Sequence, residues 1–131
     1  MTTLLDDAEP DYQFWFAKWA TLSDNVFTVQ LDRLVRQSEK PNLNVLVSYT
    51  VIFRDVQYLE VFGETRAGDS FFSSRDAGVL ARHHASELLD RRKEKEIALS
   101  PRDYAHYSLM TTDEFFSVLT SYEPEIVRND G

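Results

Sequence analysis

Five aromatic side chains fall within eight residues near the start of the chain, Tyr12, Phe14, Trp15, Phe16 and Trp19, and both tryptophans are among them. Aromatic side chains carry large burial areas and lose little rotamer freedom when fixed, so this end of the chain has to pack against an extensive surface. On a helical wheel Tyr12, Trp15, Phe16, Trp19 and Leu22 share one face, the i, i+3, i+4, i+7 spacing of a helix lying on a core. Glu9-Pro10-Asp11 suits the first turn of such a helix, because proline is tolerated there and acids complement the helix dipole. Phe14 breaks the stripe and projects from the opposite side, beside Lys18 and Thr21.

The clearest strand lies further on. Val45, Val47, Tyr49, Val51 and Phe53 alternate with Leu46, Ser48, Thr50 and Ile52, which gives one strongly apolar face and a second that mixes apolar and hydroxyl residues. Phe27, Val29 and Leu31 alternate in the same way after the turn residues Ser23-Asp24-Asn25. Arg54-Asp55 reads as a hairpin tip leading into a third strand over 56–64. Loop length there decides one side chain. A two-residue loop puts Glu60 on the face of Tyr49, whereas a three-residue loop buries Leu59 and Val61 instead and turns Glu60 away, which costs less.

Ser73 or Ser74 then caps a predicted long helix reaching about Glu94, with a narrow stripe of Ala77, Leu80, Ala81, His84, Ala85 and Leu88. His83 points outward from that helix. Short extended segments over 96–100 and 104–110 precede a last helix, announced by Thr111 with Glu114 three residues later and by the stripe Phe115, Phe116, Leu119 and Tyr122. At 131 residues the chain is one domain. The predicted fold is α+β in the order α-β-β-β-α-β-β-α, an antiparallel sheet packed by the aromatic N-terminal helix and the alanine-rich helix. Short polar tails are expected at 1–9 and 123–131.

Charge narrows the partners. The net charge is −8, and residues 1–24 and 110–131 each carry five acids against one base, while 25–109 balance at twelve of each. Acidic ends disfavour nucleic acid, whose phosphates need surplus Lys and Arg, and favour basic proteins. No apolar run approaches the roughly 18–20 residues that span a bilayer, and the acidic start lacks the features of an export signal. The expected setting is the cytoplasm. With no cysteine, thiolate catalysis and disulfides are excluded.

Chemistry has few footholds. His83, His84 and His106 are the only histidines; His84 sits in an apolar stripe, and His83 with Glu87 supplies two metal ligands at most, so neither a metal nor a cofactor is expected. Neither a nucleophile elbow nor a phosphate loop occurs. Glu60, with Tyr49 or His84, is the alternative: a carboxylate in a pocket between sheet and helices, serving a small-molecule or enzymatic site. A further alternative is that the acidic ends imitate nucleic acid and occupy a DNA-binding protein.

Residues 45–89, strands followed by a helix carrying Ala77, Ala81 and Ala85, loosely resemble a double-stranded-RNA-binding domain, although Ser73-Ser74-Arg75-Asp76 stands where that family has a basic helix start. Size, acidity and element order resemble the dimeric chaperones of type III secretion effectors. The preferred function is non-catalytic protein binding through an apolar surface framed by the acidic ends, as an adaptor, effector-chaperone-like or inhibitor protein, with another protein or a second copy as partner. Its expected contact residues are Phe14 and Lys18 on the outer side of the first helix, with Leu46 and Ile52 on the second face of the strongest strand.

Overall fold

The computed structural model describes residues 15–36, 44–63, 78–83, 86, 88–90, 104–112 and 114–129. These are almost entirely β: β1 (Trp15–Ser23), β2 (Val26–Arg36), β3 (Asn44–Phe53), β4 (Val56–Phe62), β5 (Leu80–Arg82), β6 (Ala105–Met110), β7 (Phe115–Thr120) and β8 (Glu125–Asn129). One sheet has the order β1-β2-β3-β8 and the other β4-β7-β6-β5, and every pairing is antiparallel. The second sheet has Greek-key order, with β5, β6 and β7 side by side and β4 lying beside β7. Among the described residues the helix is a single turn, α1 (residues 88–90).

The sheets share one core. Val29, Leu31, Val51 and Phe53 of the first meet Leu80, Leu109, Phe116 and Val118 of the second, and all are buried. Ring pairs bridge the layers: Phe27 and Phe116 have centroids 5.6 Å apart, Phe53 and Tyr107 6.3 Å. Antiparallel register explains the match, because Phe27, Val29 and Leu31 lie opposite Phe53, Val51 and Tyr49 and so fill one face together.

The predicted α+β sandwich of one sheet and two helices is thus overturned, and each helix fails for its own reason. The aromatic N-terminal segment is a strand carrying a bulge between Ala17 and Trp19. Trp15, Ala17, Ala20 and Leu22 lie opposite the row of Arg33, Leu31, Val29 and Phe27 in β2. One extra residue inserts a step of three into a period of two, and that imitates helical spacing. The alanine-rich helix is broken by Gly78 at φ 113°, a conformation no helix interior holds, and is followed by β5. β5 is three residues long, buried at Leu80 and Ala81 and exposed at Arg82, too short to print an alternation. The remainder of that predicted helix lies outside the described residues except around α1, and the helical element order behind both family resemblances is absent among the described residues.

The last predicted helix is β7, buried on both faces. Its capping signal is real: the Glu114 N–H donates to Thr111 Oγ1 at 3.0 Å, as an N-cap would arrange. Thr111, however, also donates its own N–H and hydroxyl to the Glu114 carbonyl, which closes the β6–β7 turn and sends the chain on as a strand. Residues expected as a polar tail form β8 on the edge beside β3.

Two turns set the geometry. Asp24 and Asn25 both have positive φ, 52° and 63°, in the two-residue β1–β2 turn, the left-handed pair that matches strand twist. Arg54-Asp55, read as a hairpin tip, is instead the corner where the chain leaves one sheet for the other. Asp55 holds it at φ 55°, with its carboxylate accepting from Gln57 Nε2 at 3.2 Å, from Tyr104 Oη at 3.3 Å and from Ser121 Oγ. Asp55→Ala is expected to cost about 2–3 kcal/mol in a denaturant melt, since it strands these donors and puts alanine in a left-handed conformation. Asp55→Asn, which tolerates that conformation and still accepts, should cost less than half as much.

Burial pushes the Tyr107 phenol above its ordinary value of 10.0, with Arg82 opposing and Glu123 reinforcing the shift. The unfolded chain therefore releases this proton first as pH rises, so stability present below about pH 10 is lost on going above it. Tyr107→Phe should flatten that alkaline limb, measured as denaturation midpoint against pH, while leaving the neutral-pH stability nearly unchanged.

Candidate functional site

Among the described residues the sandwich is open along one side. β1 is an edge of the first sheet and β4 an edge of the second, and between them lies a groove of about 380 Å³ lined by Ala20, Leu22 and Phe27 on one wall and Leu59, Val61 and Phe116 on the other. The floor, Phe27 and Phe116, is buried core. Leu22 and Val61 are on the core faces of their strands yet are 56% and 44% exposed, because no described strand covers the gap between the two edges. Deeper in the same core, Val29, Leu31, Val51, Leu109 and Val118 have no exposure.

Backbone hydrogen bonds pin both ends of the groove. At one end Val56 N–H donates to the Asn25 carbonyl at 2.8 Å, tying the start of β4 to the β1–β2 turn; at the other Thr112 N–H donates to the Trp15 carbonyl at 2.9 Å. Trp15 itself is fully buried, with the Tyr49 ring at 5.4 Å and the Arg33 guanidinium 5.3 Å from its centroid. The groove is held open by a fixed frame rather than by a loose loop.

Its rim is acidic. Asp24 lies in the turn at one end and Glu114 at the other, both exposed, and Glu60 is exposed on β4. Against these stands Lys18, exposed at the bulge. Trp19 points to the opposite face of β1, its indole N–H donating to Gln30 Oε1 at 2.7 Å.

Of the residues expected to bind a partner, Lys18 lies in the groove wall. Ile52 is half-buried on the outer face of β3, opposite Thr28 and Glu125, on the far side of the first sheet from the groove. Leu46 pairs with Leu34 along β3, with its side chain outside the described residues, as is the whole of Phe14. The alternative pocket is not assembled: Tyr49 is buried in the core between the sheets, whereas Glu60 lies on the outer face of the second sheet opposite Ser117 and accepts from Tyr58 Oη at 2.6 Å. His84 lies outside the described residues. Leu22, Val61 and Glu114 were missed, since nothing in the chain's periodicity announces that two particular strands end their sheets side by side.

A second cluster lies on the outer face of the second sheet. His83, expected to point outward, is buried and stacked on His106, with ring centroids 3.8 Å apart and planes 4° from parallel. His83 Nε2 meets Ser108 Oγ at 2.8 Å; His106 Nδ1 meets Ser86 Oγ at 2.7 Å and its Nε2 meets Ser117 Oγ at 2.6 Å. Ser86 also caps α1, accepting from the Leu89 N–H at 2.9 Å. The cluster joins the cap of α1, and His83 just past β5, to β6 and β7 through hydrogen-bonded polar groups, with all five side chains buried. Such a layer holds structure together. Among the described residues no group of three or more His, Asp or Glu side chains is placed to hold a metal, and no helix is long and apolar enough to cross a membrane.

Comparison with known proteins finds no family model, no curated protein and no solved structure that matches this chain.

Proposed function

We propose that the chain is a non-catalytic protein-binding module that receives an apolar segment of a basic partner protein in the groove between β1 and β4. The observation that carries this reading is the exposure of Leu22 and Val61 over a floor of core aromatics, where the interior of the sandwich reaches solvent. An apolar side chain seated there gains burial worth about 25 cal/mol per Å². Glu114 in the groove lining, Asp24 in the adjoining β1–β2 turn and the net charge of −8 favour a partner with flanking Lys or Arg, and they oppose self-association of like-charged copies. A chain without cysteine suits a reducing compartment, and we take its setting as the cytoplasm.

Leu22→Lys combined with Val61→Lys tests the reading. Both side chains are exposed, so the melting temperature should move by no more than about 2 °C. Affinity captures from the native cell with wild type and with the double variant, compared by quantitative mass spectrometry, should then differ by loss of a basic protein whose capture also weakens with salt. Identical captures at equal stability would sink the proposal.

A further inference from the structure

We infer that the partner is bound through its main chain, as an extended strand added to the free edge of β1 alongside Ala20 and Leu22; this rests on the groove reading above. The argument starts from the β1–β2 turn. Because the turn has two residues, the flanking Ser23 and Val26 form a hydrogen-bonded pair. Alternation along an antiparallel ladder then directs Thr21 and Trp19 toward β2, and it turns the N–H and C=O groups of Ala20 and Leu22 outward. Trp15, beyond the bulge, has the same outward sense, and there the Thr112 N–H already takes its carbonyl.

The usable edge is short. The bulge at Lys18 ends regular geometry on one side and the turn at Asp24 ends it on the other, leaving Trp19–Ser23, or about 17 Å of strand at 3.4 Å per residue. The same two residues that turn their backbone groups outward point their side chains into the groove. A strand laid along them would therefore place every second side chain over Phe27, Phe116 and Leu59, and the intervening ones beside Thr21 and Trp19 in solvent. The partner class that fits is a short segment of alternating apolar and polar residues with basic flanks, matching Asp24 at one end of the edge and Glu114 at the other. Main-chain pairing fixes its direction and depth, while the groove selects its apolar residues.

The probe is a fluorescein-labelled peptide, Lys-Val-Thr-Val-Thr-Val-Lys, titrated with the full chain and read by anisotropy. Two further peptides carry N-methyl groups on alternate backbone nitrogens, one in each phase. At least one methylated phase should bind tenfold or more weakly than the parent, because it has lost the donors that face β1. Ala20→Pro should cause a loss of similar size with an unchanged melting temperature, since the N–H it removes faces outward and proline is accepted on an edge strand in that orientation. Val61→Lys should abolish binding. Equal affinity for all three peptides, with Val61→Lys still abolishing binding, would overturn main-chain addition and leave side-chain capture in the groove. Loss on methylation with Ala20→Pro unaffected would overturn the assignment to β1 and move the pairing to β4. No binding, or binding indifferent to Val61→Lys, would overturn the groove reading and this inference with it.

Discussion

Phe53→Ala is expected to lower stability by about 3–5 kcal/mol and the melting temperature by roughly 10–20 °C. Phe53 is fully buried in β3 and bridges the two layers, with ring centroids 6.0 Å from Phe27 in its own sheet and 6.3 Å from Tyr107 in the facing one. Truncation removes the ring's transfer free energy and leaves a cavity that two hydrogen-bonded sheets cannot collapse to fill. A domain of this size is stable by only about 5–15 kcal/mol, so the variant sits near the edge of folding. Leu22→Ala provides the contrast: it removes a similar apolar side chain from the same core face, but at 56% exposure there is little burial to lose. A urea titration of both should separate them several-fold. If Phe53→Ala cost no more than Leu22→Ala, the two sheets would not share the core described.

His106→Ala should be nearly as damaging, about 3–5 kcal/mol, for a different reason. It leaves a cavity against His83 and deprives the buried hydroxyls of Ser86 and Ser117 of the imidazole nitrogens they face. Each buried polar group that loses its partner costs about 1–3 kcal/mol. Replacing both ends of the interaction is far cheaper than replacing one. His106→Leu combined with Ser117→Ala should therefore recover more than half of the lost stability in the same urea titration, and failure to recover any would mean that the cluster does more than satisfy its own polar groups.

Strand β3 was legible because a single buried face prints a clean period of two, and prediction over 45–53 meets observation at Asn44–Phe53 within a residue. β1 was not. Its bulge spaces Trp15, Ala17, Ala20 and Leu22 unevenly, and the prominent tryptophans fall four apart, so the aromatic pattern matched a helix better than a strand. In β7 two faces are buried at once, which erases alternation, and the Thr111–Glu114 bond is common to a helix start and to this turn. β8 carries Glu125, Arg128 and Asn129 among its five residues and reads as a tail until β3 offers it an edge. Local pattern decides an element only where one competing geometry is excluded locally, and here the exclusion came from Gly78, Asp55 and the sheet pairings.

The groove was out of reach for a related reason. Leu22 and Val61 are 39 positions apart, and their convergence depends on β3 and β4 parting at Asp55 into different sheets. Helical spacing puts Lys18 on the outer side of a helix, facing a partner. It occupies a groove wall instead, and its location in the bulge explains its exposure without any contact.

On the proposed reading that bulge would also govern what kind of strand is welcome. A flat, regular edge accepts any extended chain of sufficient length, including the repeating stacks that grow into fibrils. By interrupting β1 at Lys18 with a bulge that carries a charged amine, the chain would offer, on the proposed reading, only the brief register Trp19–Ser23 and would disfavour a longer uniform strand. Selectivity here would come less from what the groove attracts than from how soon the edge stops being usable.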